Sequence, residues 1–133
     1  MRSTVVTRAS ALLLALAGVS LLFAPIELLA RLAPGTPPSA AWIAQLLGAA
    51  WLGLAAMNWT TRFTMVGGIY GRAVVTANAM TYFASAMTLL HVVRAGASTM
   101  VIVLAVVALV MAATYGYLLF RGPFAADRAP VTG

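Results

Sequence analysis

Cysteine and lysine are missing from this chain, and acid nearly so: Glu27 and Asp127 are its two carboxylate side chains, and His91 is its one histidine. Without cysteine there can be no disulfide, no thiolate nucleophile and no sulfur-ligated metal. A metal centre needs several histidine or carboxylate ligands held together, and acid–base catalysis usually needs two titratable groups within reach of one substrate. The sequence has neither constellation, so no catalytic residue and no metal site is expected. Charge of either sign is scarce, at 8% of 133 residues, where soluble domains carry about a quarter. Such a chain lacks the polar surface that water requires.

What is present is apolar. Hydrophobic residues make up 63% of the sequence and the mean hydropathy is +1.01. A helix crosses the hydrocarbon of a bilayer with roughly 20 apolar residues. Backbone polar groups in lipid must be satisfied within helices or closed barrels. The apolar runs here are continuous, without the alternation of a lipid-facing barrel strand. The expected fold is therefore all-α, an integral membrane four-helix bundle forming one membrane domain over 1–133. Its helices are expected at about 8–30, 40–60, 70–94 and 98–120, followed by a short polar tail, 121–133. The first of these resembles a signal peptide, but Pro25 directly after Ala24 disfavours cleavage there, and cleavage after Ala17 leaves too short an apolar core. It is read as a retained helix that continues or restarts at Pro25.

The connections carry the punctuation. Ala33–Ser39 holds three prolines and a glycine, with Ser39 placed to cap the second helix. Met57–Arg72 is a mixed polar, aromatic and glycine stretch at the centre of the chain, read as an aqueous connection between two helix pairs. Gly96 suits the end of the third helix. All eight basic residues are arginines. With four spans, Arg2, Arg8, Arg62, Arg72, Arg121 and Arg128 share one side, and Arg31 and Arg94 the other. Arginine gathers in short cytoplasmic loops, so both termini are expected to be cytoplasmic.

Several residues could do more than fill space. Small residues four apart let helices approach closely in lipid, and they recur as Ala44 with Gly48 and Ala49 with Gly53. Ala73 with Ala77, and Ala108, Ala112 and Gly116, continue the pattern on the last two helices. Asn78, Tyr82 and Ser85 share one face of the third helix and, with His91 near its end, are the candidate cofactor-binding residues for a lipid, quinone or pigment. Arg62 and Arg72, near Gly67–Gly71, are candidates for an anionic lipid or ligand. The glycine run there lacks the strand and spacing of a nucleotide-binding fingerprint. Glu27 and Arg31, four apart, are expected to form an ion pair, although an acid near a membrane span is also a candidate transport site.

Leu22–Leu32 after the first helix, Gln45–Leu54 in the second and Gly68–Arg72 at the start of the third together resemble the small bacterial DoxX-like four-helix membrane proteins. That resemblance implies a four-helix bundle in a bacterial inner membrane. By analogy it implies an accessory role beside respiratory or redox complexes, without a defined activity or a required cofactor. The leading expectation is a non-enzymatic, helix-packing subunit of a larger electron-transfer or photosynthetic-type membrane complex, or a homo-oligomer, with no nucleic-acid partner. The alternatives are a binder of lipid, quinone or pigment within the bundle, and a small transporter using Glu27. The last resembles the small multidrug transporters in length, but the arginine asymmetry departs from their dual orientation.

Overall fold

The structure, a computed structural model, describes residues 2–62 and 69–121, with side chains over 4–62 and 71–120. Its helices are α1 (Arg2–Phe23), α2 (Pro25–Leu32), α3 (Ala41–Thr60), α4 (Ile69–Arg94) and α5 (Thr99–Arg121), with a 3₁₀ turn at Pro38–Ala40 before α3. No strand occurs among the described residues. Four stretches are long and apolar enough to cross a membrane: Thr4–Phe23, Pro38–Thr60, Gly71–Arg94 and Thr99–Phe120, of 20 to 24 residues each. At ~1.5 Å per residue each measures roughly 30 Å or more, the thickness of the hydrocarbon core.

Local chemistry sets the breaks. The helix expected over about 8–30 is two helices, because Pro25 has no N–H to return to the carbonyl of the preceding turn. Ala24 takes a non-helical conformation (φ −131°, ψ 49°), and Pro25 opens α2 at its first position. Ser39 does not cap α3. It lies inside the 3₁₀ turn, and the residue in the capping position is Ala40, with no side-chain hydrogen bond. At the end of α4 the chain reverses through Gly96, whose φ of +95° is open to glycine at little steric cost. The Gly67–Gly68 part of the glycine run lies outside the described residues, and α4 begins immediately after it.

The helices associate as two close pairs, α1 with α3 and α4 with α5, and the pairs meet each other at far fewer close backbone approaches. The α1–α3 contact is made by two glycines. A Cβ placed on Gly48 would lie 2.8 Å from the Gly18 carbonyl oxygen, and one placed on Gly18 would lie 2.8 Å from the Gly48 carbonyl oxygen. Neither position accepts a side chain. Larger groups fill the seam between the pairs: Leu14, Ala55, Val75, Tyr82, Met111 and Tyr115 form one buried cluster drawn from all four long helices.

Outward, the molecule is apolar. Phe23 is 84% exposed and Phe120 88%, and Leu16, Leu46, Phe83 and Val110 also project outward. Hydroxyls along the helices fold back onto their own backbone, as Ser20 does to the Leu16 carbonyl, Thr88 to Ala84 and Thr114 to Val110. That i−4 bond satisfies a hydroxyl without water. An apolar shell of this extent is a liability in buffer and suits hydrocarbon.

Candidate functional site

Polar side chains in the interior converge at one level of the bundle. Ser10 lies in the first half of α1, Asn58 in the last turn of α3, Asn78 in the first half of α4 with Tyr82 at its middle, and Tyr115 in the second half of α5. Only helices running alternately up and down bring the first halves of α1 and α4 level with the second halves of α3 and α5. Ser10, Asn58 and Asn78 have no measurable exposure, and Tyr115 is 1% exposed.

The centre is a reciprocal amide pair across the seam. Asn58 Nδ2 donates to Asn78 Oδ1 at 2.8 Å, and Asn78 Nδ2 donates to Asn58 Oδ1 at 2.6 Å. Asn78 Nδ2 also donates to the Val74 carbonyl at 2.9 Å. Ser10 completes the group: it accepts from Asn58 Nδ2 at 3.0 Å, donates to Asn78 Oδ1 at 3.3 Å and shares a 2.7 Å hydrogen bond with the Tyr82 hydroxyl. A buried amide left unpaired costs about 1–3 kcal/mol, and here the members satisfy one another. Tyr115 stacks on Tyr82 with ring centroids 5.7 Å apart and planes 14° from parallel. Its hydroxyl is the exception: it is buried without a hydrogen-bond partner among the described residues.

Of the four candidate cofactor residues, the structure therefore unites Asn78 and Tyr82 and leaves out the other two. Ser85 is half-buried, one turn beyond Tyr82, and makes none of the cluster's hydrogen bonds. His91 is exposed in the last turn of α4, thirteen residues and roughly 20 Å along the axis from Asn78. The arginines are also apart from the cluster. Arg62 closes the end of α3, its guanidinium 4.3 Å from the Trp59 ring centroid and one N–H donated to the Trp59 carbonyl. Arg72 is exposed on α4, about 120° around the helix from Asn78.

No family model, no characterised protein and no solved structure matches this chain. Its own geometry carries the functional argument.

Glu27 and Arg31 are both exposed on α2, between the first two candidate spans, and no ion pair joins them among the described residues. No group of three or more histidine, cysteine or acidic side chains occurs there either. Among the small-residue positions, Ala44, Gly48 and Ala108 are buried, and Ala77 and Ala112 half-buried. Ala49, Gly53 and Ala73 face outward, and a Cβ on Gly53 or on Gly116 would meet nothing within 4 Å.

Ser10 and Gly18 were not singled out by the sequence. Asn58 fell in the stretch read as an aqueous connection and Tyr115 among the aromatics read as the far interface of the last helix; both are instead buried in the bundle. Asn78 and Tyr82 stand on one helix four residues apart, a spacing that marks a shared face. The missed residues stand singly on three other helices, and their partnership depends on which helices pair. One signal was available: Asn58 stands in the last turn of a mostly apolar α3, where a buried amide requires a partner.

Proposed function

We propose that this chain is a small, non-enzymatic integral membrane protein that packs as a helical subunit into a larger membrane assembly, with a second copy of itself or with other membrane proteins. In this reading it crosses a bacterial inner membrane four times with both termini in the cytoplasm. With four spans, six of the eight arginines in the sequence fall on the side of the termini and two on the other, which supports that orientation. The resemblance to DoxX-like proteins makes a redox or electron-transfer complex the natural setting, by analogy.

The observation that carries the proposal is the division of the glycines. Gly18 and Gly48 are consumed by contact within the chain, whereas Gly53 and Gly116 face open space on α3 and α5. Small outward-facing residues let another helix approach closely in lipid, where van der Waals packing is the main attraction. The face first read as a cofactor site is occupied by the protein's own Ser10 and Asn58. That occupancy favours a packing role over a ligand in the bundle.

Sedimentation of the protein extracted from its native membranes in a mild detergent tests this reading. A species larger than one chain is expected, and Gly53→Leu with Gly116→Leu should release monomers that keep the wild-type helix content. Wild-type protein that sediments as a lone monomer contradicts it.

A further inference from the structure

The two helix pairs are joined differently from the way each is built. Within α1–α3 the backbones touch at Gly18 and Gly48, and such a contact cannot loosen gradually. Between the pairs, close backbone approaches are few, and among the described residues a group of hydrogen bonds crosses between Ser10 and Asn58 from one pair and Asn78 and Tyr82 from the other. A groove of about 450 Å³ runs between α3 and α4, lined by Leu47, Trp51, Leu54 and Met57 on one side and Ala77 and Thr81 on the other. Met57 and Ala77 are the sequence neighbours of the two bonded asparagines, so the groove passes beside the amide pair.

We propose that α1–α3 and α4–α5 move as two rigid bodies and that the Ser10–Asn58–Asn78–Tyr82 cluster is the latch that holds them closed. Domain-like motions divide a structure where packing is thinnest, and the elements on each side keep their internal contacts. The latch sits toward the end of the bundle where α1 begins and α5 ends, so release widens the seam there and opens the groove toward the amides. Opening also brings water to the Tyr115 hydroxyl, which the closed state leaves unpaired.

The absence of cysteine makes the test direct. Ala55→Cys places a thiol in the buried cluster drawn from all four long helices, and Ala44→Cys places one about 16 Å away along α3, one turn from the Gly48 contact with α1; both positions are buried. When closing is fast, the rate of modification by a membrane-permeant maleimide follows the open population. A hydrogen bond between membrane helices averages ~0.6 kcal/mol, about a threefold change in population. Ser10→Ala removes two bonds across the seam and should speed modification at the Ala55→Cys reporter about tenfold, whereas Asn78→Ala removes three and should speed it about thirtyfold. The Ala44→Cys reporter should not change. Unchanged rates at Ala55→Cys in both variants overturn the latch. Equal acceleration at the two reporters in Ser10→Ala also overturns it, because the cluster then supports the whole bundle. Should Asn78→Ala unfold the protein, Ser10→Ala alone decides.

Discussion

Gly48→Leu is expected to separate α1 from α3 and to be the most damaging single substitution in the chain. The atom that a Cβ at position 48 would strike, at 2.8 Å, is the Gly18 carbonyl oxygen, with Leu21 Cβ at 3.0 Å and the Leu22 backbone nitrogen at 3.2 Å behind it. A side chain can turn aside, but a carbonyl held in a helix moves only with the helix. Overpacking usually costs about 1–3 kcal/mol, and a clash against backbone belongs at or above the top of that range. Gly53→Leu adds the same atoms to the same helix five residues later, where nothing lies within 4 Å, and should change stability by less than about 0.5 kcal/mol. Unfolding of the two variants in mixed micelles, followed by circular dichroism, measures the difference. Equal effects would mean that the glycine contact is not what holds the first pair.

The second large effect is non-additive. Asn78→Leu leaves Asn58 with an amide that has lost two of its three recorded hydrogen bonds, keeping the one to Ser10. Two quantities compete here: ~0.6 kcal/mol per bond lost between membrane helices, and about 1–3 kcal/mol for a polar group stranded in an apolar interior. The second dominates because these residues are fully buried and no water reaches them. Each single replacement, Asn58→Leu or Asn78→Leu, should cost about 2 kcal/mol, and the double replacement should fall at least about 1 kcal/mol short of the sum. Tyr115→Phe is the contrasting arm of the same series. It removes a buried hydroxyl with no partner, so it should leave stability unchanged or raise it by up to about 1 kcal/mol. Additive costs in the asparagine cycle would show that the two amides act separately.

The hydrocarbon-length helices were legible in the sequence because hydropathy over some 20 residues is a collective signal that no single side chain can spoil. The break at Pro25 was half legible: proline marks a discontinuity, but whether a helix kinks across it or restarts depends on the conformation adopted at Ala24. Half of the buried cluster could be read from the Asn78–Tyr82 spacing on one helix. The other half could not, because Ser10, Asn58 and Tyr115 acquire meaning only after α1 is set against α3 and α4 against α5. That pairing rests on Gly18 meeting Gly48, and in a chain rich in glycine and alanine many other pairs of small residues offer the same spacing. Ala49 and Gly53 repeat the motif of Ala44 and Gly48 and point outward. Glu27 and Arg31 teach the same lesson on α2, where favourable spacing did not bring two exposed charges together.

The underlying claim is that these four helices are solvated by lipid along their length, with the amide cluster at the dry interior. Fractionation of cells producing the chain tests it most directly: membranes are washed with alkaline carbonate and then extracted with detergent. The protein is expected to stay in the washed membranes and to enter solution only with detergent, as a helical particle. Recovery in the carbonate supernatant as a compact helical monomer, stable in plain buffer, would contradict the account.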